Sequence, residues 1–142
     1  MKSIRALFRR GLVAILLLLA WPAAAADGIA VLSAVLQMNG KEVTFVVNVL
    51  NQRDMDVEIV AVEIEARKGV LELQNRLTWT RVPSLRLPRH AELKMDSVHG
   101  PRVLFPAGRG FPSSGNALIV LNTGERITTP YVTLPEARSH GS

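Results

Sequence analysis

The chain has 142 residues, with 17 Lys and Arg, 12 Asp and Glu and no Cys, and its formal net charge is +5. Because Cys is absent, disulfides, thiolate metal sites and thiol catalysis are excluded. The positive charge does not indicate a nucleic-acid partner, because four of the basic residues precede Ala26 and all the acidic residues follow it.

Residues 1–26 have the pattern of a cleavable export signal. Four basic residues without an acid are followed by an apolar run over residues 11–21, and Ala24-Ala25-Ala26 supplies an A-x-A cleavage site. A retained anchor is the alternative, but the apolar run is about half of the ~20 residues that span a bilayer. We therefore expect Sec-type export, cleavage before Asp27, and a periplasmic or secreted protein without a stable membrane anchor.

The first part of the remaining chain predicts a β-hairpin. Apolar residues alternate with polar ones over residues 29–38 and 41–50, as in half-buried strands. Asn39-Gly40 between them favours a type I′ turn, whose two central residues need positive φ. In the second strand Val43, Phe45, Val47 and Val49 share one face, and we expect that face to be buried.

A third strand is predicted over residues 57–66, with Val60, Val62 and Ile64 inward and Glu63 and Glu65 outward. The remaining strand candidates are short: residues 70–74, 77–82, 84–87, 91–95, 102–105, 116–122 and 125–134. Pro83 and Pro88 separate three of them, because proline cannot donate to a strand ladder. Glycine and proline dominate residues 100–115, which should contain the longest loop.

No stretch has helical apolar spacing, so the pattern predicts an all-β fold. We expect an antiparallel immunoglobulin-like or cupredoxin-like β-sandwich of about seven to eight short strands, with a barrel as the alternative. Residues 27–134 should form this single domain, and residues 135–142 a disordered tail.

The sequence contains few residues that could support catalysis or bind a metal ion such as calcium. His90, His99 and His140 do not belong to a recognisable nucleophile motif, so we do not expect an enzyme. Asn51, Asp54 and Asp56 supply oxygen ligands in one turn, but without the glycine and bidentate glutamate of a calcium loop. Glu63 and Glu65 fit the wet face of a strand better than a catalytic carboxylate pair. Four arginines at positions 76, 81, 86 and 89 form either a basic stripe or a solvated strand face.

Soft-metal binding remains open, because Met thioether and His imidazole bind Cu(I) without Cys. The donors are Met38, Met55, Met95, His90 and His99. Met95 and His99 lie close in the chain around a predicted turn, so they are the candidate metal ligands. The alternative is that methionine fills the core and histidine lies on the surface.

Three segments resemble the periplasmic copper-chaperone domain, a cupredoxin-like β-sandwich that follows a signal peptide. They are Val43-Thr44-Phe45-Val46-Val47-Asn48-Val49-Leu50-Asn51 followed by Asp54, then Leu71-Glu72-Leu73-Gln74, and Leu87-Pro88 through Glu92-Leu93-Lys94 to His99. The resemblance covers about four fifths of the chain after Ala26. The pattern of strands with an Asn-containing turn also resembles other exported immunoglobulin-like modules, including the water-stress sandwich family.

The resemblance implies a copper site of His and Met ligands, and this chain departs from that ligand set. Gln74 stands at the position of the first ligand His, Leu77 or Trp79 at that of a methionine, and Pro101 at the methionine two residues beyond His99. Only His99 carries over.

Two functions follow from the sequence. The first is an exported, non-catalytic binding or accessory protein of the bacterial periplasm, with a protein or envelope partner, no cofactor and no nucleic acid. The alternative is a copper-handling periplasmic chaperone with a degenerate site of His99 with Met95, to which His90 is a further candidate ligand.

Overall fold

The structure is a computed structural model that describes residues 25–106 and 110–134. The predicted export signal before Ala25 and the predicted tail after Leu134 lie outside the described residues. Within these residues all regular secondary structure is β, and no helix long and apolar enough to cross a membrane is found there. The strands are β1 (Ala25–Ala26), β2 (Ile29–Asn39), β3 (Glu42–Asn51), β4 (Val57–Ile64), β5 (Arg67–Lys68), β6 (Val70–Asn75), β7 (Thr78–Arg81), β8 (Leu85–Leu87), β9 (Ala91–Lys94), β10 (Arg102–Phe105), β11 (Ser114–Leu121) and β12 (Arg126–Leu134).

The predicted first hairpin is present as β2 and β3, the longest strand pair of the fold. Its turn differs from the prediction by one position, because Asn39 pairs with Glu42 and the two turn residues are Gly40 and Lys41. Gly40 has a φ of 61°, and glycine at the first central position suits a type II′ turn. The glycine therefore serves as the turn residue, while Asn39 continues the strand.

The strands form one continuous sheet in the order β5-β4-β11-β12-β2-β3-β10-β6-β7. β8 pairs with β4, β9 with β3 and β1 with β2 beside this path. β4 also contacts β6, and β8 contacts β9, so the sheet curls into a half-barrel. The expectation of seven to eight strands was too low, because the described residues form twelve strands, two of which have only two residues.

The expectation of a purely antiparallel fold was also wrong. β12 runs parallel to β2, with Val132 paired to Val35 and Leu134 to Gln37. Every other pair of neighbouring strands among the described residues is antiparallel. This parallel pair joins the last strand to the first long one, a long-range pairing that local sequence patterns do not encode.

A β-bulge in β4 changes which residues of that strand face the core. Opposite β11 the register shifts between Ala61 and Ile59, so Val57 and Ile59 are buried before the shift and Val62 and Ile64 after it. The extra residue breaks the period of two. Val60, predicted to be buried with Val62 and Ile64, is consequently only half-buried, whereas the inward positions of Val62 and Ile64 are as predicted.

The core lies inside the curl and is built on the predicted face of β3. Val43, Phe45, Val47 and Val49 are all at most 5% exposed. Residues from both ends of the sheet pack against this face, including Ile64 of β4, Phe105 of β10 and Tyr131 of β12, whose ring meets Phe45 edge-on at 6.4 Å between centroids. The curled sheet therefore encloses one apolar core and leaves the loops at the strand ends available for function.

Candidate functional site

The segment of His99 and the strand of Gln74 lie at the end of the sheet where β6 turns into β7 and where β9 is connected to β10. In the antiparallel pair of β10 and β6, Arg102 is opposite Glu72 and Val103 opposite Leu71. Continuing this register by two residues brings Gly100 level with Gln74. The segment containing His99 is therefore placed beside the end of the strand containing Gln74.

A compact loop holds His99 at the surface. Asn48 of β3 accepts a hydrogen bond through Oδ1 from the Met95 N–H at 3.0 Å, and Gly100 N–H donates to the Ser97 carbonyl at 3.0 Å. A Cβ at Gly100 would lie 2.6 Å from the Lys94 carbonyl oxygen, which is closer than real contacts allow. Glycine is thus required for the loop to close on itself, and His99 stands exposed next to it.

The predicted metal ligands occupy different environments. Met95 is 4% exposed and belongs to the hydrophobic core, whereas His99 is exposed. Met38 packs partly buried against the core, and Met55 is 56% exposed in the β3–β4 turn. Among the described residues no group of three or more His, Asp or Glu could hold a metal ion. The pair of Met95 and His99 therefore stays a prediction, with the thioether largely removed from solvent.

An Arg–aromatic contact occupies the face of the sheet next to Gln74. The Arg102 guanidinium lies 3.9 Å above the Trp79 ring centroid, and its Nε donates to Glu72 Oε1 at 2.8 Å. Trp79 is in turn the cross-strand partner of Gln74. A cation–π contact and an ion pair therefore hold Trp79, Arg102 and Glu72 together on this face of the sheet. The alternation of Glu72 and Gln74 along β6 placed both residues on one face, but no local pattern indicated Arg102 as their neighbour.

Three large apolar side chains are exposed around the same end of the sheet. Leu73 of β6 is 43% exposed, Leu77 in the β6–β7 turn 96%, and Val98 in the β9–β10 connection 87%. We call these three residues the apolar rim. β7 is the last strand of the sheet order, so its outer edge is unpaired by any strand of the described chain. An open edge beside exposed aliphatic side chains is a typical feature of a binding surface.

The β3–β4 turn does not have the geometry of a calcium loop. Asn51 is buried, and its Nδ2 donates to the carbonyls of Met55 and Leu87, each at 3.0 Å. Asp54 Oδ1 lies 2.6 Å from His90 Nε2. Asp56 accepts hydrogen bonds from the Arg89 N–H and the Arg86 side chain, which lower the pKa of Asp56 to about 2. Each oxygen-bearing side chain thus already has a protein partner.

The four arginines of the suspected basic stripe separate into two groups. Arg86 and Arg89 form ion pairs with Asp56 at 2.9 and 3.3 Å. Arg76, at a φ of 58°, and Arg81 lie on the β6–β7 hairpin and form no ion pair with any described carboxylate. A continuous stripe of the four is therefore not present, and of these four arginines only Arg76 and Arg81 lack an ion pair with a described carboxylate.

An ion pair that the sequence did not reveal joins the β3–β4 turn to the β11–β12 turn. Arg53 donates two hydrogen bonds of 2.6 Å to the Glu125 carboxylate and one of 2.7 Å from Nε to the Asp27 carbonyl. The bond from Arg53, followed by one from Thr123, lowers the pKa of Glu125 to about 2, and Glu125 raises the pKa of Arg53. Arg and Glu are 72 residues apart, which is why no local motif indicated the pair.

Fold and site together describe a small all-β domain with the fold that the resemblance to the copper-chaperone domain implies. Solved structures confirm the resemblance in fold. The chain is similar to the apo PmoF2 PCuAC domain, a periplasmic copper-chaperone domain, with 16% identity and a TM-score of 0.64 over 81% of this chain and 94% of that one.

Two further structures agree with this assignment of the fold. The copper-bound PCuAC domain from PmoF2 has 17% identity and a TM-score of 0.62 over 80% of this chain and 96% of that one. The apo PCuAC domain from PmoF1 has 15% identity and a TM-score of 0.61 over 76% and 94%. No protein-family model and no curated protein matches the chain. At these identities the likeness shows the fold alone.

Proposed function

We propose that this chain is a non-catalytic binding protein of the bacterial periplasm that holds an extended segment of a protein partner and uses no cofactor. The observation that carries the proposal is the apolar rim: Leu77 is 96% exposed in the turn that leads into β7, whose outer edge is open, and Val98 is 87% exposed in the loop that leads into β10. An extended segment would add a strand to β7 through main-chain hydrogen bonds, and the rim would select its apolar side chains.

The energetics of the rim favour a protein partner. Burying an exposed Leu or Val side chain contributes roughly 1.5–3 kcal/mol, so the three rim residues together supply roughly 4.5–9 kcal/mol, which is of the same order as the cost of association. Main-chain pairing along β7 adds orientation, because its hydrogen-bonding groups recur at fixed spacing. The contact of Trp79 with Arg102 links β7 to β10 on one face of the sheet.

Site-specific photo-crosslinking in the periplasm tests this function. A photoreactive residue at position 77 or 98 should capture one defined protein, and the same residue at Val132, which is 56% exposed on β12, should not. With that partner purified, Leu77→Ser combined with Val98→Ser should weaken binding more than tenfold, about 1.4 kcal/mol, while Val132→Ser leaves it unchanged. Equal capture at all three positions, or equal affinity of all variants, would refute the proposal.

Export is the part of the proposal that can be checked directly. Because Ala24-Ala25-Ala26 offers the cleavage site, N-terminal mass analysis of exported protein should find a start at Asp27 or within a few residues of it. The two-residue strand β1 would then be removed, while Asp27 keeps the carbonyl that Arg53 holds. Exported material that still begins at Met1 would contradict the assignment.

Copper handling is the second candidate, supported by the similar fold of a copper-bound domain. The ligands would be His99 with Met95 and, as a further donor, His90, since thioether and imidazole suit Cu(I). If this function holds, the protein should compete with a chelator for Cu(I), and His99→Ala should abolish binding with almost no change in thermal stability. Equally weak binding by both proteins would reject it.

Restoring the family's ligands provides a sharper test of the same candidate. The β6–β10 register brings Gln74 level with Gly100. Gln74→His with Pro101→Met should therefore place one new imidazole and one new thioether beside His99, which gives three donors in all. We expect this double variant to bind Cu(I) at least tenfold more tightly than the wild type, about 1.4 kcal/mol. Gln52→His with Arg126→Met adds the same donors at exposed positions and should bind as weakly as wild type. Equal gains in both variants would show that the register does not define a site.

A further inference from the structure

A cleft of about 320 Å³ opens at the other end of the β6–β7 hairpin from the apolar rim. It lies where the curled sheet brings β4 close to β6. Its lining residues are Val60, Lys68, Gly69, Val70, Leu71, Arg81, Val82 and Pro83. Most of these are apolar, and the two charged members are both cations.

Backbone hydrogen bonds hold the walls of the cleft in place. Gly69 N–H donates to the Val62 carbonyl and Val82 N–H to the Leu71 carbonyl, each at 2.9 Å. A Cβ at Gly69 would lie 2.3 Å from Val103 Cγ1, so the chain there packs directly against the core without room for a side chain. The bulge in β4 leaves Val60 half-buried along the cleft. The cleft is therefore preformed, which lowers the cost of ordering on binding.

Both cations beside this apolar floor lack an ion-pair partner among the described residues. Glu63 is the cross-strand neighbour of Lys68 but forms no ion pair with it, and Glu72 is the neighbour of Arg81. Glu72 instead accepts the 2.8 Å hydrogen bond from Arg102. The guanidinium of Arg81 therefore keeps its donors available at the mouth of the cleft.

The geometry points to a binding site for a small amphipathic carboxylate, whose apolar part lies on Val60, Val70 and Pro83 and whose carboxylate meets Lys68 and Arg81. A guanidinium matches a carboxylate through two parallel hydrogen bonds, and the volume is at the lower end of small-molecule sites. An inorganic anion has no apolar part to pack on Val60, Val70 and Pro83. A neutral alkyl chain has no charge to pair with Lys68 and Arg81. The site is separate from the apolar rim, so its occupation and the proposed function can fail independently.

Titration of the exported chain with octanoate, followed by amide chemical shifts, tests the site. Saturable shifts should centre on residues 68–71 and 81–83, and both octan-1-ol and inorganic phosphate should bind more weakly than octanoate. Because exposed ion pairs contribute modestly, Lys68→Gln and Arg81→Gln should each weaken binding about two- to fivefold. Arg126→Gln, an exposed cation on β12, should have no effect.

Each alternative result overturns a definite part of the inference. If octan-1-ol binds as tightly as octanoate, the two cations do not contribute to affinity. If phosphate binds as tightly as octanoate, the apolar residues of the cleft do not contribute. Shifts centred elsewhere, or no saturable shifts, would show that the cleft is not a carboxylate site. Amide spectra of the two cation variants should match those of wild type outside the cleft. This control shows that a variant with weaker binding is still folded.

Discussion

Replacement of Asn51 by alanine should be among the most damaging single changes in the fold. Asn51 is 0% exposed, donates to the carbonyls of Met55 and Leu87 at 3.0 Å, and accepts the Arg53 N–H at 2.9 Å. Each hydrogen bond contributes about 0.5–1.5 kcal/mol, and a buried group left without a partner costs more. Loss of three bonds, with the Leu87 carbonyl left buried, should therefore lower the free energy of unfolding by about 2–4 kcal/mol.

Urea unfolding of wild type, Asn51→Ala and Gln52→Ala measures this effect. Gln52 is the exposed neighbour in the same turn, and its substitution should change stability by no more than about 0.5 kcal/mol. Asn51→Asp keeps the acceptor for Arg53 but turns a carboxylate toward two carbonyl oxygens, so it should be less stable than Asn51→Ala at neutral pH. A loss below about 1 kcal/mol for Asn51→Ala would refute the role of this side chain in joining β3 to β8.

Three further changes probe the core and the surface. Phe45→Ala should cost about 3–5 kcal/mol, because Phe45 is fully buried against Tyr131; a loss below about 1 kcal/mol in chemical unfolding would mean that the faces of β3 are reversed. Tyr131→Phe should leave the melting temperature unchanged or raise it, since the buried hydroxyl has no hydrogen-bond partner among the described residues; a clear decrease would reveal one. Because Arg53 lowers the pKa of Glu125 from 4.5 to about 2, this ion pair stabilises the fold above pH 4.5 and is lost as the pH falls toward 2. The stability advantage of wild type over Glu125→Gln should therefore shrink across that range in pH-dependent melting, and a constant difference would contradict the assignment.

The parts of the fold that local periodicity encodes were predictable. β2 and β3 appear within one residue of their expected bounds, and all four apolar residues assigned to the inner face of β3 are buried. Alternation determines which face of a strand is apolar, and a shift by one residue would expose that whole face. Short strands such as β10, whose bounds match the prediction, were found because proline and glycine delimit them.

The features that failed all depend on a neighbouring strand. The bulge in β4 exists only in its pairing with β11, so the continuous apolar pattern of β4 gave no sign that Val60 would leave the core. The parallel contact between β12 and β2 joins residues about a hundred positions apart. The turn at Gly40 shows a smaller effect, because pairing of Asn39 with Glu42 moved the predicted turn by one residue.

The candidate site was visible in the sequence only as unusual residues at positions implied by the family resemblance. Gln74, Leu77 and Pro101 could be named without a structure, whereas the exposure of Val98 and the burial of Met95 could not. Burial depends on how the β9–β10 loop closes over Asn48 and Gly100. Met95 lies four residues before His99, but the loop assigns the methionine to the core and the histidine to solvent.

The stability of this sheet does not depend on the positions that the resemblance implies as copper ligands. The positions implied as ligands lie at the end of β6 and in the loop before β10, whereas the buried core is centred on β3, β4, β11 and β12. Trp79, Arg102 and Glu72 now hold the strands at that end together through a stacking contact and an ion pair. Because the buried core lies elsewhere, an exposed apolar side chain such as Leu77 is tolerated there. Exposed aliphatic residues reduce solubility unless something covers them, so the exposure of Leu77 next to the open edge of β7 agrees with the proposed protein partner.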